Sequence, residues 1–374
     1  MFGEMSQSQR ARVDAAPGLL TIDLGALAAN YRLLCARAGA ARVAGVVKAD
    51  AYGLGAARVA PALYAAGCRH FFVAQLGEAL DLQPVLAADV QLCVLNGLQP
   101  GAEALCADAG IVPVLNSLEQ VDNWSRLARA RGVMLPALLQ FDTGMSRLGL
   151  PPDEAAELAA APERLAGIDM LHIMSHLASA DDPSSAQNGE QLAALRRLVP
   201  CFPGAALSFA NSGALFLDAE YHGALVRPGI ALYGGAPNPA LPNPMQPVVG
   251  LEVRVIQTRL VPAGTRIGYG GAHVTTAERR LATLTAGYAD GLPRSLSDRG
   301  AAYLGPVRLP IVGRVSMDSV TVDITALPPG TLRLGSLVEF IGPHQTLDAL
   351  ASDAGTLSYE ILTGLGTRFH RLAR

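Results

Sequence analysis

One lysine stands out by its setting. Lys48 closes the apolar run RVAGVVK at 42–48. A buried ammonium is costly unless it is paired or gives up its proton, and a desolvated amine is a nucleophile suited to a Schiff base. A lysine that marks where a strand emerges into water is the other reading, and position alone does not choose between them. Further on, Asn211-Ser212-Gly213 offers a hydroxyl and backbone N–H groups at a helix start, and Gly229-Ile230 offers more. That pattern suits a phosphate, although an ordinary N-cap would also use NSG. An amine that can join an aldehyde, taken with a phosphate site, points toward pyridoxal phosphate. His172 and His176 share a strand face, but i and i+4 on a strand are too far apart to chelate one ion easily, so no metal is expected. His176 is better suited to neighbour a bound ring, and Asp181-Asp182, before Pro183, to cap a helix.

These groups need elements that end near one another. Short apolar runs at 42–48, 70–74, 91–95, 111–115, 135–141, 168–175, 206–210 and 224–226 alternate with helical stretches such as 26–38, 117–131 and 184–198. Continuous apolar strands suit a parallel sheet covered on both faces. The fold expected is α/β, a (β/α)8 TIM-like barrel, with the open doubly wound sheet as its competitor; no GxGxxG follows the first strand. In a barrel the working groups sit at the carboxyl ends of strands, which selects Lys48, Gln140, Asp142, His176, Asn211, Ser212, Arg227 and Gly229. At 236–247 the run APNPALPNPMQP is rich in proline, which ends helix and central strand alike. Beyond it, β-branched alternation at 251–260, 281–286, 310–324 and 334–341 predicts a smaller, mostly-β domain. The expected division is a flexible N-terminal segment at 1–18, the barrel at 19–240 and the β domain at 241–374.

Composition narrows the classes. Half of the 374 residues are hydrophobic and 16% are charged, which supports a large core and excludes wholesale disorder. A net charge of −3 without a basic run, and aromatics at 5%, argue against nucleic acid as a partner. The five cysteines lie in apolar segments without CxxC spacing and read as reduced core residues of a cytoplasmic protein. The first dozen residues lack the apolar run of a secretory leader, and no stretch is long enough to span a bilayer, so no membrane is expected.

The run VVKADAYGLG at 46–55 resembles the cofactor-attachment motif of alanine racemases. Further matching segments are DTGMSRLG (142–149), MSHLASAD (174–181), ANSG (210–213), RPGIALYG (227–234), IGYGG (267–271), GYADG (287–291), GRVSMD (313–318) and SYE (358–360). The resemblance implies a barrel followed by a β domain, pyridoxal 5'-phosphate as cofactor, alanine as substrate, and a homodimer whose active sites take residues from both subunits. It implies a two-base racemisation that supplies D-alanine for peptidoglycan.

By that resemblance Lys48 carries the cofactor and serves as one base, while Tyr269, from the partner's β domain, is the other. A proton that leaves one face of Cα and returns on the opposite face calls for two bases on opposite sides. An amine and a phenol both ordinarily titrate well above neutrality, so each must be tuned downward to accept a proton. Arg147 is matched to Tyr269 or to the substrate carboxylate, and Met317, with Asp318 beside it, to the carboxylate through its backbone. Arg227 is matched to the pyridine nitrogen. A guanidinium donates a hydrogen bond without giving up its proton, which leaves the ring a weaker electron sink and restrains transamination. His176 is matched to the residue that orients Arg227. Tyr52, Ser212 and Tyr359 are matched to phosphate contacts, near Asn211, Gly229 and Ile230, and Tyr288 to the access passage. Two departures are Gln140, where many relatives carry a lysine that is often carbamylated, and Leu54, where the motif commonly reads His. The rivals are a decarboxylase of the same architecture, a broad-specificity racemase, and a non-catalytic pyridoxal-phosphate carrier. The decarboxylases place a cysteine in the β domain, whereas no cysteine follows Cys201. The carriers resemble the barrel alone.

Overall fold

The computed structural model describes residues 7–374. Part of the expected flexible segment, 1–6, lies outside the described residues. Gln7–Ala15 is a helix, and Val13 is buried with Ala16 and Leu19. The chain forms two compact units. One holds 27–232 and 236–245; the other gathers the chain up to 26 with 233–235 and 246–374.

The strand β1 (Gly18–Ile22) belongs to the second unit, not to the barrel range in which the sequence reading put it. Its backbone pairs antiparallel with the long strand Val249–Val261, Leu20 opposite Leu251, and parallel with His370–Ala373. The proline-rich stretch 236–245 falls in the first unit, while 233–235 just before it falls in the second.

The first unit is an α/β barrel. Its strands are β2 (Arg42–Val43), β3 (Gly45–Val46), β4 (His70–Val73), β5 (Gln91–Val94), β6 (Val112–Leu115), β7 (Leu135–Gln140), β8 (Ile168–Met174), β9 (Ala206–Ser208) and β10 (Leu225–Val226). β3 to β9 pair in sequence order as one parallel sheet. β10 pairs in parallel with β2, and the N–H groups of Ala224 and Arg227 donate to the carbonyls of Leu207 (2.7 Å) and Ala210 (2.8 Å). The ladder therefore runs round to its beginning. The expected first strand, 42–48, is split at Ala44 and stops at Val46, because Val47 turns to ψ 21°. Strands covered on both faces must be apolar throughout, and every residue of β6 is buried.

The helices that cover the barrel follow the usual rules. Leu118–Arg131 starts on Ser117, whose side chain accepts from the Gln120 N–H, and ends on left-handed Gly132. It buries Val121, Trp124, Ser125 and Ala128, a stripe at i, i+3, i+4 and i+7. Among the described residues no helix is long and apolar enough to cross a membrane.

The second unit is mostly β, built on Val249–Val261 with Arg279–Leu284, Leu337–Ile341 and shorter strands. The run 310–324 was expected as strand throughout. Only its ends are strand: Pro310 closes the strand Val307–Pro310 and Val320–Asp323 forms the next, with Gly313 at φ 79° in the loop between them.

Candidate active site

Lys48 begins a turn of unusual hand. Ala49, Asp50, Ala51 and Tyr52 have φ between 52° and 57°, a left-handed conformation that costs a non-glycine residue about 1–2 kcal/mol. Local bonds tie the turn down: Ala51 N–H to Val47 O (2.8 Å), Gly55 N–H to Asp50 O (2.8 Å), and Ala56 N–H to Asp50 Oδ1 (2.7 Å). The Ala49 N–H donates to Glu78 Oε1 at 2.5 Å. Burial draws the Lys48 amine below its ordinary pKa, the Arg147 charge adds to this, and Glu78 opposes it. Lys48 is also the only lysine among the 29 lysine and arginine residues of the chain.

Arg227 follows β10 and is buried at 4% exposure. Its guanidinium donates to the hydroxyl of Ser208 and to the carbonyls of Ser175 (2.7 Å) and Phe209 (3.4 Å). These are neutral acceptors, and no carboxylate among the described residues pairs with it. Burial lowers its pKa, yet a guanidinium keeps its proton. His176 lies two residues beyond the end of β8. Burial and the charges of Arg227, Arg147 and Lys48 hold its imidazole down at about 3, so the ring is neutral. The bonds that orient Arg227 come from Ser208, Ser175 and Phe209, which the sequence reading did not select; His176 bears on it through space.

Across the same barrel end, the Ser212 hydroxyl accepts from the N–H groups of Gly229 (2.8 Å) and Ala231 (3.3 Å). A Cβ on Gly229 would collide with the Tyr52 hydroxyl, so the close approach of these segments requires glycine. Tyr52, Ser212, Gly229 and Ile230, the last beginning the short helix Ile230–Tyr233, thus meet around one cradle. Asn211 acts as a cap: its Oδ1 accepts from Ala214 N–H at 3.0 Å.

The loop after β7 presents Arg147. Asp142 Oδ1 accepts from the N–H groups of Gly144, Met145 and Ser146 at 2.9–3.1 Å, and Gln140 Nε2 donates to Leu148 O at 3.1 Å. Arg147 itself is exposed, and its guanidinium has no hydrogen bond or ion pair among the described residues.

The remaining candidates lie in the second unit. Tyr269 is 70% exposed on a short turn between Arg266–Ile267 and His273–Val274. The turn is anchored by His273 Nδ1 at 2.9 Å from Asp298 Oδ1, which also accepts from Gly313 N–H (2.7 Å). Tyr288 and Met317 are exposed and adjacent: Tyr288 N–H donates to Ser316 O and Ala289 N–H to Met317 O, both 3.0 Å. Asp318 is engaged by Arg368 at 2.7 Å. Tyr359 is exposed on Ser358–Gly364.

The first-unit residues fit the cofactor expected from the sequence. A desolvated amine suits an aldehyde, a buried guanidinium held by neutral acceptors suits a ring nitrogen, and the Tyr52–Ser212–Gly229 cradle suits a phosphate. Comparison with known proteins agrees. Residues 22–237 match the family model "Alanine racemase, N-terminal domain" and 248–373 match "Alanine racemase, C-terminal domain". A catabolic alanine racemase of Rhizobium johnstonii is 63% identical over 371 residues, 99% of this chain and 98% of that protein. An alanine racemase of Brucella ovis is 55% identical over 378 residues, 98% of this chain and 96% of that protein. Among solved structures, alanine racemase from Bartonella henselae with covalently bound pyridoxal phosphate is similar with a TM-score of 0.93 at 45% identity, covering 96% of this chain and all of that one (100%).

Proposed function

Because the chain belongs to the alanine racemase family, we propose that it interconverts L- and D-alanine with pyridoxal phosphate, using Lys48 and Tyr269 as bases on opposite faces of the alanine Cα. The observation that carries this reading is Lys48, the only side-chain amine, desolvated at the carboxyl end of the first barrel strand.

Bound pyridoxal phosphate would withdraw electrons from the attached amino acid and so acidify its Cα–H. The chain's own groups do the rest. Lys48 Nζ, with its proton affinity lowered by burial and Arg147, would hold the cofactor through its aldehyde with loss of water, and, once the substrate amine takes its place, the freed amine would take or return a proton at Cα. Tyr52, Ser212 and Tyr359 hold the phosphate, with Asn211 shaping the turn and the backbone at Gly229 and Ile230 beside it. Arg227 donates to the ring nitrogen and His176 stays neutral beside it. Arg147, without an internal partner, meets the substrate carboxylate together with the Met317 backbone; Asp318 holds that loop through Arg368. Tyr288 narrows the access passage and favours a small side chain.

Tyr269 serves the partner subunit in a cytoplasmic homodimer. The exposure of Tyr269, Met317 and Tyr288 supports this, because large apolar groups left open on one unit are ordinarily covered in an assembly. The supply of D-alanine for peptidoglycan is one physiological reading. The description of relatives at 63% and 58% identity as catabolic favours a second, in which the enzyme opens a route for breaking down alanine. Deleting the gene separates them: a requirement for D-alanine supports the first, and loss of growth on alanine alone supports the second.

The activity is tested by assaying racemisation of several amino acids, with borohydride reduction of the purified protein. One reduced adduct per chain is expected, on the peptide holding Lys48, and none in Lys48→Ala. Turnover without that adduct would overturn the reading.

A further inference from the structure

The carboxylate of Glu78 makes three bonds to backbone N–H groups in two loops. Oε2 accepts from Ala74 (2.7 Å) and Gln75 (2.9 Å), just past β4, and Oε1 accepts from Ala49 (2.5 Å), the residue after Lys48. Gln75 precedes the helix Leu76–Leu82, and a glutamate in the third helical position commonly turns back to bond the N-cap N–H. Capping of that kind occupies one oxygen. The other crosses to the neighbouring loop, where four successive non-glycine residues hold positive φ. A backbone in so sparse a region persists where its surroundings over-determine it, and such regions gather at functional sites.

We propose that Glu78 is a positioning residue for Lys48: by locking the Ala49 N–H to the loop after β4, it fixes the left-handed turn that presents the amine. The inference rests on the reading of Lys48 as the reactive amine. A second consequence concerns the proton on Nζ, which the Glu78 charge helps to retain against burial and Arg147. The short bonds inside the turn close it upon itself; the bond to Glu78 joins it to the neighbouring strand's loop, so that the carboxyl ends of β3 and β4 move as one.

Two variants separate positioning from capping. Glu78→Gln keeps an oxygen for the Gln75 N–H, since glutamine also completes a capping box, but its amide nitrogen cannot accept from Ala49. Glu78→Ala loses both. Hydrogen exchange followed by mass spectrometry reads the turn in the peptide 46–55 and the helix in 76–82. Uptake of pyridoxal phosphate by the full chain, after stripping with hydroxylamine, reads the amine, because borohydride can fix the cofactor on no other side chain. The expectation is that both variants exchange at least about tenfold faster in 46–55 and attach the cofactor at least about tenfold more slowly, while 76–82 stays protected in Glu78→Gln. Parental exchange or parental attachment in Glu78→Gln would overturn the proposal, and that variant decides even if Glu78→Ala fails to fold. A parent chain that takes up no pyridoxal phosphate would instead overturn the cofactor reading, and the exchange arm would still decide whether Glu78 holds the turn.

Discussion

Ser208 and Arg227 share one hydroxyl bond in the barrel interior: Ser208 Oγ donates to Leu225 O (2.8 Å) and accepts from the Arg227 guanidinium. Both side chains are buried. The serine thereby converts a neutral strand carbonyl into support for a positive charge with no carboxylate beside it. Ser208→Ala removes a hydrogen bond to a charged group, for which a loss of about 1.5–3 kcal/mol is expected. Urea unfolding measures it. A midpoint equal to that of the parent would show that the carbonyls of Ser175 and Phe209 suffice.

Tyr269→Phe keeps the ring and removes the phenolic proton. If Tyr269 and Lys48 work on opposite faces, one enantiomer still loses and regains its α-hydrogen through Lys48, while the other does not. In heavy water the variant should exchange the α-hydrogen of one enantiomer with retention, and racemise about 10²–10⁴-fold more slowly. Proton NMR of each enantiomer reads both rates. Equal arrest of exchange in the two enantiomers would contradict the facial assignment. Mixing Lys48→Ala with Tyr269→Phe chains should restore part of the racemisation, because a mixed dimer contains one complete site; no recovery after proven subunit exchange would argue against sharing.

The barrel was legible because its strands are apolar on both faces and so read as short continuous runs, and because chemistry concentrates at their carboxyl ends. That rule selected Lys48, His176 and Arg227, each of which lies just past the end of a barrel strand. The pairing of β1 was not legible, since Leu20 meets Leu251 across most of the chain and no local pattern announces so distant a partner. Glu78 was missed for a different reason. Its partners are backbone N–H groups, which carry no residue type, and ADAY at 49–52 contains no glycine or asparagine to signal a left-handed turn. Ser208 fell inside an apolar run, where a lone serine reads as filler. In the second unit, alternation at 310–324 imitated a strand, and the loop carrying Met317 and Asp318 emerged from Gly313 and the bonds to Tyr288 and Ala289.

Gln140 should make the enzyme indifferent to carbon dioxide. A lysine here could be carbamylated and would then present a negative charge to the neighbouring arginine. The Gln140 amide has no nucleophilic amine, and its Nε2 is occupied by Leu148 O. The loop that presents Arg147 is held instead by that bond and by the three backbone N–H groups gathered on Asp142. Racemisation in degassed buffer and in buffer with added bicarbonate should agree. A strong rise with bicarbonate would sink this account of the loop.

Acid should destabilise the fold through its buried imidazoles. Burial first, then the charges of Arg42, His70 and Arg227, hold His172 down at about 4, and His176 lies at about 3 for related reasons. Free imidazole titrates near about 6.5. Above that pH neither the native nor the unfolded chain is protonated at these sites, so nothing is lost. Below it the unfolded chain takes up protons that the native chain refuses, and each such histidine lowers stability by up to about 1.4 kcal/mol per pH unit until its own folded value is reached. His172 also leaves its Nδ1 buried without a partner. His172→Leu should therefore raise stability at pH 7 by about 1 kcal/mol, by removing an unsatisfied polar group. It should also flatten the fall between pH 6 and pH 4.5 by about one histidine's share. Urea unfolding across that range measures both effects, and a variant whose stability falls as steeply as the parent's would place the acid sensitivity elsewhere.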